Sequence, residues 1–314
     1  MKIKPILLTL LVLLVLCLSW WRWGYVPKKE TDKPNWADTR HSDKKPSRET
    51  IQQIEQAKND PRLRMLFAHP TSRTPLWTLR TLRESDEAVL LAAYKNTTNL
   101  LERTSLTWAL AYIGSDASFA ALKHTLTDEF KGQLITSHSY SETTSETDLM
   151  FNTVEALGLM AARNDAAFAF LQQGADPWFW QRSVGWKSHQ GPSDYGLLTS
   201  RAIRAIGMSG HKEVPDILEA LSKQPLENSP DPANGRRTFN GAVCRAAFEN
   251  AFIRDRGREA FLEWWDFKFD DDAGVNDGGR KQWQATPEGK KWTEWRDKFD
   301  QEKLAQRKAA NRWP

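Results

Sequence analysis

Apolar residues recur at helical spacing through the middle of the chain, and one motif returns in four places. The motif is an amphipathic helix ending near an Ala-Leu pair, then a tight turn and a second amphipathic helix. Its copies are Trp108–Gly114, Glu155–Ala161, Arg204–Gly210 and Ala246–Phe252. A fifth copy lies upstream, where Ser85 begins a segment like the one at Ser115. Repetition at this spacing predicts stacked helical hairpins with one continuous core.

The second copy gives the clearest local prediction. Its first helix is expected over Thr104–Ile113, and Gly114 is suited to a left-handed C-terminal cap. Ser115 can then cap the next helix. In the last copy Phe252 and the three residues after it replace the glycine and the turn, as expected of a degenerate end repeat. The residues expected to point inward from the second helix are Phe119, Leu122 and Leu126.

The alternation Ala-Leu-x-x-x-Gly, Ser-Asp, Ala-Ala-Leu resembles the HEAT repeats of armadillo-type α-solenoids over about Leu76 to Phe267. The resemblance implies an all-α fold, an α-α superhelix of about five helical-hairpin repeats. Members of that family serve as scaffolds, adaptors, chromophore lyases and DNA-repair glycosylases. The resemblance therefore predicts architecture more closely than it predicts function.

The N-terminus predicts export or membrane attachment. Lys2 and Lys4 precede an apolar run over Ile6–Leu18, and a Trp cluster follows it. This pattern fits either a signal peptide cleaved after Ser19 or an uncleaved signal anchor (1–26) that crosses the membrane through residues 5–26. A buried N-terminal helix of a cytoplasmic protein is a third interpretation. We expect a single-pass inner-membrane protein with a periplasmic domain, or a secreted periplasmic one.

Beyond this segment, composition divides the chain into three parts. Residues 27–47 are rich in Lys, Asp, Thr and Pro, which predicts a flexible tether. The solenoid is expected over 48–267, beginning with a capping helix that places Ile51, Ile54 and Ala57 on one face. Residues 268–314 are expected to form an acidic turn and a Trp-rich capping helix from Pro287. That last helix fits a lid on the final repeat or a basic helix on anionic lipid.

Three insertions interrupt the repeats, over 131–147, 174–196 and 224–240. Each joins one repeat to the next, and equivalent loops of stacked repeats share one edge. We call that edge the insertion-bearing rim. Exposed aromatic and arginine side chains there predict a partner-binding site, although the Trp-Phe-Trp run also suits a plug between repeats. The candidate residues are Trp178, Trp180, Trp186, Tyr195, Arg236 and Arg237.

Charge and motif content give little support for catalysis. The 44 basic and 40 acidic residues leave a net charge of only +4, so nucleic-acid binding is not expected. The six His residues and the lone Cys244 show no zinc spacing, and no phosphate-binding loop or calcium loop is present in the sequence. We therefore expect neither a metal nor a cofactor.

These observations favour a non-catalytic adaptor or scaffold in the bacterial cell envelope. It would hold a protein partner on its concave surface or on the insertion-bearing rim. One alternative is a HEAT-fold nucleic-acid enzyme that resembles the DNA glycosylases. Another is an extracytoplasmic glycan-binding module that uses Trp178, Trp180 and Trp186.

Overall fold

The computed structural model describes residues 46–68, 74–129, 131, 134–135, 146–176, 178–184, 187–188, 192–224, 235–270 and 277–310. The expected signal segment (1–26) and nearly all of the tether lie outside the described residues. Within the described ranges, no helix combines the length and the apolar character needed to cross a bilayer.

Regular structure in the described part is helical apart from two strands of two residues each, which confirms the all-α prediction. A 3-10 turn at Glu84–Asp86 precedes α4, and π-helical turns at Thr125–Glu129 and Trp180–Val184 follow α6 and α8. The strands are β1 (Leu134–Ile135) and β2 (Lys187–Ser188). The helices are α1 (Arg48–Asn59), α2 (Arg64–Ala68), α3 (Leu76–Leu79), α4 (Glu87–Asn96), α5 (Leu100–Ile113), α6 (Asp116–His124), α7 (Glu146–Ala161), α8 (Asp165–Gly174), α9 (Pro192–Ser209), α10 (Val214–Lys223), α11 (Gly235–Arg256), α12 (Arg258–Asp270), α13 (Asp277–Gln284) and α14 (Pro287–Ala310).

Four long helices, α5, α7, α9 and α11, lie side by side in a row, each packed against the next. The shorter helices α6, α8 and α10 pack against members of this row, and α6 also packs against α8. Apolar residues from the long and the short helices make up the core, and nearly every residue of α7 is buried. The row of long helices is thus the central element of the fold.

The turn of the second repeat copy forms as predicted. Helix α5 starts four residues earlier than expected, because the Asn99 side chain caps its first free N–H groups. Gly114 then ends α5 in the left-handed conformation, with φ of 79°. Ser115 Oγ accepts a hydrogen bond from the N–H of Ser118 at 3.0 Å and so starts α6. The predicted roles of Gly114 and Ser115 are both confirmed.

The last copy departs from the pattern of the others, as predicted. Helix α11 does not turn after Phe252 but continues to Arg256, and Gly257 makes the turn with φ of 85°. Phe252 packs on the Phe248 ring one turn earlier and on Trp264, with centroid separations of 6.1 and 5.4 Å. This aromatic packing favours a continued helix. The left-handed turn that ends α11 forms at the next glycine, Gly257.

Two glycines let the long helices approach closely. A Cβ atom placed on Gly158 of α7 would lie 2.9 Å from the Cα of Ala205 in α9. One placed on Gly207 of α9 would lie only 2.5 Å from the Cα of Ala246 in α11. These neighbours are backbone atoms that cannot move independently, so both contacts require glycine.

Helix α12 packs across the row of long helices. Its first residue, Arg258, donates hydrogen bonds to the carbonyl oxygens of Leu159 in α7 at 2.7 Å and Met208 in α9 at 3.2 Å. Burial, reinforced by repulsion from Arg163, lowers the pKa of Arg258 to about 10. One arginine therefore satisfies the carboxyl ends of two adjacent helices.

The far end of α12 reaches the beginning of the described chain. Trp265 packs edge to face on Trp108 of α5, with ring centroids 5.3 Å apart. Asp266 accepts a hydrogen bond from the N–H of Leu76 at the start of α3 at 2.9 Å. Helix α12 therefore contacts α3, α5, α7 and α9 besides its sequence neighbour α11.

The first and last described helices both cap the body. In α1, Ile54 and Ala57 are buried as expected, but Ile51 is exposed. In α14, Trp292 is buried, and its carbonyl oxygen accepts a hydrogen bond from the Cys244 thiol of α11 at 3.3 Å. The N-terminal part of α14 is thus docked against the last long helix.

The glycine contacts predict opposite effects for two alanine substitutions in α9. We expect Gly207→Ala to lower the free energy of unfolding by about 1–3 kcal/mol, because its methyl group overlaps the backbone of α11. We expect Gly196→Ala to raise it by about 0.5–1 kcal/mol, because alanine is the better helix former and nothing lies within 4 Å of that position. Chemical denaturation measures both, and equal effects would contradict the close approach at Gly207.

The docking of α14 should depend on pH through Glu219 of α10. Its carboxylate accepts a hydrogen bond from Lys291 of α14 at 2.5 Å, and the Lys291 and Lys223 ammonium groups hold its pKa below the ordinary 4.5. A depressed carboxyl pKa stabilises the folded state above pH 4.5, and this contribution is lost as pH falls through the lowered value. We therefore expect faster amide hydrogen exchange in α14 of Glu219→Gln than of wild type at neutral pH, and no difference in acid.

Candidate functional site

The first two insertions meet in the structure. Strand β1 from the first pairs in parallel with β2 from the second, with Leu134 opposite Lys187 and Ile135 opposite Ser188. The π-helical turns that lead into these strands also contact each other. By the insertion junction we mean these two turns, the two strands and three residues just before the second turn, Asp176, Trp178 and Phe179. The described part of the third insertion is limited to Gln224 and the first residues of α11.

Trp180 anchors the insertion junction to the hydrophobic core. Its side chain is fully buried, and its Nε1 donates a hydrogen bond to the carbonyl oxygen of Gly174 at 2.9 Å. The rings of Phe170 and Phe179 pack edge to face on it, with centroids 6.0 and 5.1 Å away. Trp180 therefore offers no open ring face, and its position agrees with the interpretation of the Trp-Phe-Trp run as a plug.

The other predicted partner-binding residues lie in different surroundings. Trp178 is half-buried in the turn before Trp180, and Tyr195 at the start of α9 is buried. Arg236 and Arg237 belong to the first turn of α11, but their side chains are not among those described, and Trp186 lies outside the described residues. Among the candidates whose side chains are described, Trp178 and Trp180 lie two residues apart at the second π-helical turn.

Partly exposed Asp176 and exposed Arg182, which were not predicted, accompany Trp178. Asp176 accepts a hydrogen bond from the N–H of Trp178 at 2.9 Å, and its other oxygen pairs with the Arg182 guanidinium. Gln181 lies between them and is also exposed. The solvent-facing part of the insertion junction therefore combines one half-exposed indole with an ion pair and an amide.

A buried ion pair holds the first π-helical turn. Arg103 of α5 donates two hydrogen bonds to the Glu129 carboxylate, both at 2.5 Å, and lies 4.6 Å from the Tyr94 ring centroid. Burial acts to lower the pKa of Arg103, but attraction to Tyr94 and Glu129 outweighs it and the pKa is raised. Removing either partner would leave a buried charge without its ion-pair partner, so this pair ties the turn before the first insertion to α5.

A second set of charges crosses α7, α9 and α11. Glu155 accepts hydrogen bonds from Arg201 at 2.6 Å and Arg204 at 3.2 Å, and Glu249 accepts one from Arg245 at 2.6 Å. Arg204 also lies 4.0 Å from Glu249, which joins the two groups into one chain of charges. We call Arg201, Arg204 and Arg245 the arginine strip.

The carboxylates are the deeper members of this chain. Glu155 and Glu249 expose 7% and 0% of their side chains, whereas the arginines expose between 17% and 32%. Attraction to Glu155 raises the pKa of Arg204. Burial lowers the pKa of Arg201, and repulsion from Arg204 adds to that effect. The arginine side chains are therefore the more exposed members of this chain of charges, and the carboxylates lie deeper.

An open cleft of about 780 Å³ lies between the end of α11 and the turn that joins α13 to α14. Phe248, Phe252 and Trp283 form its aromatic wall, and both charge signs occur at its edge, including Arg254 and Glu288. Sequence spacing could not reveal this cleft, because Trp283 comes from α13 and the two phenylalanines come from α11. Within the described residues, no group of three His, Cys, Asp or Glu side chains could hold a metal ion.

The burial of Trp180 predicts that the two neighbouring tryptophans differ in stability effect. We expect Trp180→Ala to lower the free energy of unfolding by about 3–5 kcal/mol, because it leaves a large cavity and removes an indole hydrogen bond. The matched variant Trp178→Ala should cost less than about 1 kcal/mol, because that ring is half-exposed. Urea denaturation measures both values, and a small loss for Trp180→Ala would contradict its role as an anchor.

Comparisons with known proteins give no relative from which a role could be carried over. No protein-family model, no curated protein and no solved structure matches this chain. Its function has therefore to be inferred from its own residues. The insertion junction, the arginine strip and the aromatic cleft are the features that present chemistry to solvent.

Proposed function

We propose that the chain is a non-catalytic, HEAT-like α-solenoid scaffold that holds a protein partner at its insertion-bearing rim. The N-terminal segment, residues 5–26, would tether it to the bacterial inner membrane with the helical body in the periplasm. The proposal joins the repeat pattern of the sequence to the pairing of the first two insertions.

A recurring hydrogen bond supports the solenoid part of the proposal. Three side chains each donate to a main-chain carbonyl at the end of the long helix one hairpin earlier. Asn164 donates to Gly114, His211 to Ala161 and Arg258 to Met208. The three donors lie 47 residues apart in the sequence. A common spacing is what equivalent positions of successive repeats should show, since each hairpin caps the one before it.

The parallel pairing of β1 with β2 is the observation that carries the rim assignment. Two insertions from successive repeats are joined there into one surface, and that surface rests on buried Trp180 and on the Arg103–Glu129 pair. Long loops held on a rigid base are where binding residues concentrate. Part of the alternative surface, the faces of the long helices, is already occupied by α12.

The rim assignment predicts where a partner can be crosslinked. With a photoreactive residue in place of exposed Gln181, we expect the full-length protein in intact cells to form a discrete protein adduct. Gln53 of α1, which is also exposed, is the matched control and should form none. Trp178→Ala combined with Arg182→Ala should lower the adduct yield at least about fivefold, as for a contact worth over 1 kcal/mol. Adducts from Gln53 alone, or an unchanged yield in the double variant, would exclude the insertion junction.

A further inference from the structure

We propose that the arginine strip binds a carboxylate-bearing segment of a partner protein. This surface lies on the long helices α9 and α11 rather than on the insertions, so it is additional to the rim. Arg201, Arg204 and Arg245 are its members, and Glu155 and Glu249 are the buried groups that hold them.

The geometry of the strip favours an anionic ligand. Each guanidinium spends part of its planar array of five N–H donors on a buried glutamate. The arginines are the more exposed members of these pairs, and 32% of the Arg201 side chain is exposed. Arginines already fixed by such pairs lose little side-chain entropy when a second carboxylate arrives.

The ion-pair chain is also incompletely satisfied as it stands. Arg204 Nε and Arg245 Nη2 are buried without a hydrogen-bond partner, and so is Glu249 Oε2. Repulsion from Arg204 contributes to the lowered pKa of Arg201. Attraction to the Asp148 carboxylate raises the pKa of Arg201, but less than attraction to Glu155 does. A further carboxylate beside Arg201 would offset this repulsion, whereas the unpartnered atoms of Arg204, Arg245 and Glu249 are buried away from solvent.

Apolar groups flank the strip in a way that suits a protein segment. Leu197 lies one helical turn before Arg201 on the same face of α9, and 40% of it is exposed. The Arg201 guanidinium lies 4.7 Å from the Phe151 ring centroid, and that of Arg245 lies 5.3 Å from Trp264. Arginine beside aromatic and aliphatic groups is typical of protein-binding hot spots.

The interleaved glutamates argue against a nucleic acid as the ligand. A phosphate backbone is bound through an uninterrupted series of cations that replaces its counterions. Here Glu155 and Glu249 separate the three arginines, so the strip presents spaced forks rather than a continuous positive track. A segment with a few aspartate or glutamate side chains matches that spacing better.

The test uses the full-length protein and a labelled hexaglutamate peptide, followed by fluorescence anisotropy. We expect saturable binding that weakens as salt is added, and none of a hexaglutamine peptide. Arg201→Gln should raise the Kd at least about fivefold, a loss on the scale of one charge-assisted hydrogen bond. Arg80→Gln is the matched control, because Arg80 is exposed and paired with Glu259 and Glu263 elsewhere on the body; it should leave the Kd unchanged.

Folding is checked separately by thermal denaturation of each variant. Should Arg201→Gln not fold, Arg201→Lys keeps the charge but removes the fork, and it is expected to bind hexaglutamate more weakly than wild type. The proposal is overturned if hexaglutamate does not saturate wild type or if the folded variant binds it equally well. Tighter binding of inorganic tripolyphosphate than of hexaglutamate would also overturn it and assign the strip to phosphate. None of these outcomes depends on crosslinking at Gln181, so the two proposals fail independently.

Discussion

The buried carboxyl ends of the long helices impose the constraint on which the rest of the structure depends. Each such end leaves main-chain carbonyl oxygens without intrahelical partners, and burial away from water makes unpaired carbonyls costly. Asn164, His211 and Arg258 supply donors from the following hairpin. These bonds hold each hairpin against the preceding one, and the last of them also places the start of α12 on the row.

The position of α12 determines which surfaces are left for other molecules. Its aromatic residues pack against Phe248 of α11 and Trp108 of α5, so this part of the long helices is internal. What remains open is the insertion junction, the arginine strip and the cleft at the end of α11. The insertion junction and the arginine strip offer different kinds of interaction. The junction offers a half-exposed indole and peptide edges on a rigid base, whereas the strip offers oriented charge close to a low-dielectric interior.

Local signals in the sequence were sufficient where the structure is decided locally. Gly114 and Ser115 were predictable because a left-handed turn and a helix cap depend on a few adjacent residues. For Trp180 the sequence left burial and exposure both open, since its burial depends on Phe170 and on Gly174, whose missing side chain makes room. The capping donors escaped notice because the three positions hold three residue types. The arginine strip could not be predicted because Glu155 lies 46 and 49 residues before Arg201 and Arg204, on a different helix, α7.

The contact between Asp266 and Leu76 joins residues 190 positions apart and gives this repeat-like chain an uncommon folding problem. An open array of hairpins gains stability one unit at a time, because each unit touches only its neighbours. Here a segment close to the C-terminus completes the row of long helices. The early hairpins therefore gain much of their stability only after the chain has closed a loop over most of the body. When the chain is synthesised from its N-terminus, Trp108 of α5 therefore stays uncovered until α12 has been made and packs on it. Such a protein is expected to gain its final stability in one late, cooperative step.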